Sequence, residues 1–208
     1  AWVPQGMSLD IGWRVLVLAI LCAVVSILVC VFLHGAARLY NKVFPNPYIR
    51  ILAAGVIVIA ITVLEGSGDY NGAGMPVIAA AVAGTAAPWA FAVKMIFTAV
   101  TLGAGFKGGE IIPTMFIGAT FGCVMGDVLG MDAGFAAAIG LIAVFCGVVN
   151  CPISCIVLSV EVFGAGGLLY FALACAVSFL LSGRFSLYSA QRIVYSKLEP
   201  TYVNAETR

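Results

Sequence analysis

Apolar runs follow one another along almost the whole chain, parted by short polar or glycine- and proline-containing breaks. The first, Val15 to Leu33, holds 19 residues without a charge. At about 1.5 Å per residue it predicts a helix about 28 Å long, enough to cross the hydrocarbon core of a bilayer. Trp13 and Arg14 flank one end; His34, Arg38, Lys42 and Arg50 follow the other, where Pro45 and Pro47 break the chain. The basic cluster fits a cytoplasmic anchor under the positive-inside rule and equally a solvated helix end. Ile51 to Leu64 stops at Glu65-Gly-Ser-Gly-Asp, and Pro76 to Leu102 carries Pro88 and Lys94. Ile111 to Gly126 has Pro113 in its first turn, and Ala133 to Val160 is interrupted by Asn150-Cys151-Pro152. Leu168 to Gly183 follows; Phe185 to Lys197 predicts a final short helix, and a polar tail closes the chain.

Several of these segments are too short or too broken for simple spanning rods. Within a bilayer, irregular backbone survives only where protein covers it or where it lines an aqueous cavity. Short, interrupted apolar segments therefore point to a transport site made by helix termini. Tilted helices that use glycine for close packing are the plainer alternative. The breaks at Gly66–Gly74 and Gly103–Pro113 favour the transport site.

Composition narrows the class. Of 208 residues, 63% are hydrophobic and 9% charged, against about 25% charged in an ordinary soluble domain. Mean hydropathy is +1.14. So few charges cannot clothe a soluble fold, which excludes soluble enzymes, disulfide scaffolds and disordered or nucleic-acid-binding chains. A formal net charge of +1 signals no acidic partner. The seven cysteines lie in or beside apolar runs and read as small packing residues. With His34 the only histidine, no metal or cofactor site is implied. His34 sits among basic residues and no G-x-S-x-G elbow is present, so an intramembrane hydrolase is not supported. No basic stretch precedes the first run as in a signal peptide, and the chain reads as part of something longer.

The richest chemistry lies in Gly103-Ala-Gly-Phe-Lys-Gly-Gly-Glu-Ile-Ile-Pro113, a glycine-rich turn feeding an apolar helix. A helix start leaves backbone N–H groups unpaired and carries the positive end of the helix dipole. Glycine lets an ion approach that backbone. The product is an anion site that needs no basic side chain. Gly103, Gly105 and Gly108 also match G-x-G-x-x-G, but no βαβ alternation surrounds them, and a dinucleotide site is rejected.

Gly108-Gly-Glu-Ile-Ile-Pro113 resembles the G-x-F-x-P region of the CLC chloride channels and proton-coupled antiporters. Three further blocks agree in order: Gly66-Ser-Gly-Asp-Tyr-Asn-Gly, Asn150-Cys-Pro-Ile-Ser with Ile156-Val-Leu-Ser-Val-Glu161, and Leu187-Tyr188-Ser189. The resemblance covers the family's second half, so it implies a missing N-terminal half that carries the central serine and the coupling glutamates. Ile111 replaces the usual phenylalanine and Glu110 the usual apolar residue. The G-G-E-x-x-P form looks like a bacterial branch that includes fluoride transporters, in which a threonine is expected at the position of Ile112.

By this resemblance, the backbone around Gly109, Glu110 and Ile111 faces a central anion, and the Tyr188 hydroxyl donates to it. The Glu110 side chain is expected to favour the helix dipole and not to bind the anion. Lys107 is expected in a solvated loop, Glu161 in a structural role and Asp127 and Asp132 in solvent. Lys94 either snorkels to an interface or lines a vestibule. The chain is thus expected to be an all-α, polytopic membrane protein of tilted and broken helices, one half of a CLC-like inverted repeat. Residues 1–199 would form the membrane domain and 200–208 a short polar tail. The expected function is transport of chloride, alternatively fluoride, in a lipid bilayer, with a bacterial plasma membrane as the location. A homodimer is implied, built partly from helices around residues 140–183, with no nucleic-acid partner. An unrelated transporter of small organic anions and a non-transporting membrane interaction module remain alternatives. These residues alone are not expected to carry out transport.

Overall fold

The computed structural model describes residues 8–188, 190–197 and 201–207. The long first helix, α1 (Leu9–Val43), lies against four others. Its buried positions Val15, Leu18, Cys22, Val25, Val29 and Leu33 recur at helical spacing and form one stripe. The other face remains apolar, with Leu16, Ile20, Val24 and Leu28 exposed, as expected of a helix that meets lipid or another protein surface. The helix runs ten residues past Leu33, because the basic residues beyond it are sound helix formers and nothing stops the chain before Pro45.

Asn46 then caps α2 (Pro47–Glu65), its Oδ1 accepting the Tyr48 N–H at 3.0 Å. Gly66 ends the helix in the left-handed conformation, φ 72°. Only Ala54 of α2 is fully buried. Two short helices follow, α3 (Met75–Val82) and α4 (Ala90–Gly103), and then α5 (Ile111–Leu129). Helix α6 (Ala133–Val149) is the centre of the molecule, with almost every side chain buried. Asp132, exposed to solvent as expected, is also its N-cap and accepts the Phe135 N–H at 2.8 Å. At the other end Asn150 turns the chain with φ 57°, and Pro152 starts α7 (Pro152–Phe163) at the position where a missing N–H costs least. A short 3-10 turn leads into α8 (Leu168–Leu181). Helices α1, α2 and α5 are long and apolar enough to span a membrane.

Helices α5 and α6 meet through glycine. A Cβ at Gly118 would stand 2.5 Å from the Gly140 carbonyl oxygen, and one at Gly126 would stand 2.7 Å from the Ala136 Cβ. The two backbones touch directly, in the small-residue packing typical of membrane helices.

The final helix expected over Phe185–Lys197 does not form. Strands β1 (Arg192–Tyr195) and β2 (Tyr202–Glu206) pair antiparallel there, so β2 occupies most of the expected tail. Ile193, Val194 and Tyr195 are β-branched or aromatic and favour a strand over an isolated helical turn. The Tyr195 and Tyr202 rings meet edge to face across the pair, 5.8 Å apart. Lys197, between the strands, reaches back to the ends of α6 and α8. Its Nζ donates to the Phe179 carbonyl at 2.7 Å, the Ser182 Oγ at 2.9 Å and the Asn150 Oδ1. Burial pushes this ammonium down to about 8. Ser189 and the 199/200 boundary lie outside the described residues.

Candidate anion-binding site

The α5 N-terminus is built as the sequence suggests. Helix α4 stops at Gly103, which must be small because a Cβ there would lie 2.8 Å from the Ala36 Cβ on α1. Gly105, at φ 96°, then turns the chain back. Glu110 is the N-cap of α5; its carbonyl accepts the Thr114 N–H at 3.2 Å and the Thr114 Oγ1 at 2.8 Å. The Glu110 side chain does not cap the helix. Among the described residues, the N–H groups of Gly109, Glu110, Ile111 and Ile112 donate no hydrogen bond, and Pro113 has no N–H to satisfy. The first turn therefore presents unpaired donors at the positive end of a 19-residue helix.

Two cavities adjoin this turn. The larger, about 380 Å³, is walled by Gly108, Gly109, Ile112 and Pro113 on one side. Lys94, Thr98 and Thr101 of α4, with Tyr70, Asn71 and Gly72 from the glycine-rich break, line the other side. The smaller, about 90 Å³, holds Glu110 with His34, Leu33, Ala37, Gly103 and Leu187. The His34 Nε2 lies 3.4 Å from the Leu187 carbonyl oxygen there. Ile111 is 40% exposed.

Tyr188 lies elsewhere. Its ring lines a cavity with Cys151, Ser154 and Gln191 at the start of α7. The bond from the Leu187 N–H to the Val148 carbonyl at 3.0 Å fixes the local chain, and the Tyr188 carbonyl accepts the Thr207 Oγ1 at 2.7 Å. The structure thus brings Gly109, Glu110 and Ile111 together, puts Leu187 beside Glu110, and faces the Tyr188 side chain toward a separate cavity. Lys107 is exposed yet lines the larger cavity, and Glu161 and Asp127 are exposed. Lys94 is 2% exposed and turned inward, so snorkelling to an interface is not its role. Among the described residues no group of side chains could hold a metal ion, and all seven cysteines are free.

The model of the voltage gated chloride channel family matches residues 3–183. The chain belongs to that family. It is therefore an integral membrane protein of a family of channels and transporters, not of enzymes. A chloride/fluoride channel protein from Pseudomonas syringae pv. tomato is 36% identical over 170 residues, 79% of this chain and 38% of that relative. An uncharacterized protein of Methanocaldococcus jannaschii is 32% identical over 71 residues, 34% of this chain and 18% of its own. The crystal structure of a CLC-type fluoride/proton antiporter superposes with a TM-score of 0.85 at 27% identity, over 88% of this chain and 47% of that one. The chain spans less than half the length of each of these relatives. The family match takes in the opening helices, where the sequence motifs are silent, and ends before Leu187 and Tyr188.

Proposed function

We propose that the chain forms one wall of a pathway for a small halide, with the first turn of α5 as its binding element. The observation that carries this is the uncapped helix start, whose free N–H groups stand beside a cavity reached by Gly108 and Gly109. About half an elementary charge at a helix N-terminus attracts an anion without the grip of a full ammonium. Backbone donors replace part of the hydration shell that the ion gives up. Gly109, Glu110 and Ile111 supply those donors. Tyr188 adds a hydroxyl donor further along the route, from the cavity at the start of α7. Chloride is the favoured cargo, since Ile112 places no hydroxyl beside the site; the relatives named for fluoride make fluoride the alternative. The setting is a bacterial plasma membrane, and the working protein is a homodimer with a complementary half in each subunit.

Halide efflux from liposomes tests this, with the chain alone and with the chain joined to the N-terminal half of a relative. The joined protein is expected to release chloride, or fluoride, in preference to gluconate, and the chain alone to release neither. Folded, joined protein that releases no halide would refute the proposal. Selective efflux from the chain alone would show that the second wall is not needed.

A further inference from the structure

Lys94 is a buried cation with no carboxylate paired to it among the described residues. The ion pairs among the described residues are Arg14–Asp10 and Arg192–Glu206, both far from it in sequence. Its Nζ donates to the Tyr70 carbonyl at 3.0 Å and the Gly72 carbonyl at 2.6 Å, and stands 4.9 Å from the centre of the Phe116 ring. These contacts hold the ammonium in one place, but carbonyl dipoles and a ring face leave its full charge uncancelled. An ammonium has three N–H donors, and the carbonyls use two.

The surroundings are suited to an anion. Lys94 and Lys107 are the charged residues on the wall of the 380 Å³ cavity, and no carboxylate lines it. Asn71 also lines it; the Thr62 hydroxyl beside it spends its one proton on the Val58 carbonyl at 2.8 Å, and the Asn71 NH₂ group has two N–H donors of its own. Thr98 and Thr101 spend their hydroxyl protons on helix carbonyls, Thr98 on Lys94 at 2.7 Å and Thr101 on Phe97 at 2.8 Å.

We propose that this cavity is a second anion subsite, in which Lys94 is the fixed counter-charge of a small monovalent halide and Asn71 a further donor. It deepens the pathway reading and rests on it only in taking a halide as the ligand. A full charge holds an ion more tightly than helix amides do, so the subsite fills first and raises the local halide concentration beside the first turn of α5.

Thermal unfolding of the detergent-solubilised chain, titrated with potassium chloride or fluoride against potassium gluconate at matched ionic strength, reads the subsite directly. Wild type and Lys94→Arg are expected to gain halide-dependent stability, and Lys94→Met to need at least tenfold more halide for the same gain. An unchanged halide midpoint in Lys94→Met overturns the proposal. Should Lys94→Met fail to fold, anomalous diffraction from wild-type crystals grown in bromide decides: a peak within about 4 Å of the Lys94 Nζ supports it, and its absence overturns it. A peak at Lys94 with no halide flux in the joined protein would sink the transport reading and leave this subsite standing. Flux with no peak at Lys94 would do the reverse.

Discussion

Replacing Gly118 with alanine puts a methyl group where α6 already has its backbone. The new Cβ would stand 2.5 Å from the Gly140 oxygen and 3.0 Å from the Gly140 carbonyl carbon and the Leu141 Cα. None of these atoms can rotate away as a side chain could, so α5 and α6 must part by a large fraction of an ångström. Overpacking of this kind costs about 1–3 kcal/mol, against a gain of about 1 kcal/mol from replacing a helical glycine. The net loss of up to about 2 kcal/mol corresponds to a melting temperature lower by up to roughly 8 °C for a chain of this size. Gly55→Ala is the matched control, since a Cβ there meets nothing within 4 Å; it is expected to be neutral or slightly stabilising. Because Gly118 lies two turns from Ile111 on the same helix, the displacement should also weaken halide binding at the first turn. Thermal melts followed by circular dichroism compare the two variants. A Gly118→Ala melting temperature equal to or above that of Gly55→Ala would show that the seam is not tight, and the packing argument would fail.

Glu110→Gln keeps the backbone N–H and removes the charge, so halide flux in the joined protein should stay within a few-fold; near-complete loss of proton-coupled flux would make the carboxylate a proton relay. Tyr188→Ala should alter halide selectivity or affinity at normal expression; unchanged affinity by calorimetry together with unchanged flux would remove Tyr188 from the pathway. Lys197 gives a pH signature. With the folded ammonium lowered to about 8 by burial, the unfolded chain binds more protons above that pH, so stability rises with pH from about 8 to about 10.5. Partial exposure to solvent limits the rise to about 1–2 kcal/mol. The difference between wild type and Lys197→Met should change across that window in melts from pH 7.5 to 10.5; parallel curves would contradict it.

The breaks were the most legible part of the sequence, because glycine and proline act locally. Asn150-Cys151-Pro152 separates α6 from α7, Gly66 ends α2, and Glu110 precedes α5 as expected. The end of α1 was not legible from hydropathy, since basic residues leave the apolar run without leaving the helix. Ile193-Val194-Tyr195 fits one helical turn or a short strand, and only pairing with β2 decides between them. Lys94 illustrates a different limit. Its inward turn depends on the carbonyls of Tyr70 and Gly72, more than twenty residues away, which no local pattern reveals. Tyr188 directly follows Leu187, which shares a cavity with Glu110, yet the Val148 carbonyl anchors that segment and Tyr188 lines a cavity at the start of α7.

The central claim is that backbone N–H groups at the start of α5 bind the anion. Anomalous diffraction from crystals of the chain joined to its complementary half, grown in bromide, locates the ion directly. A bromide peak within about 4 Å of the Glu110 and Ile111 backbone nitrogens is the expected result. Bromide found elsewhere in the protein, with none at that turn, would contradict it.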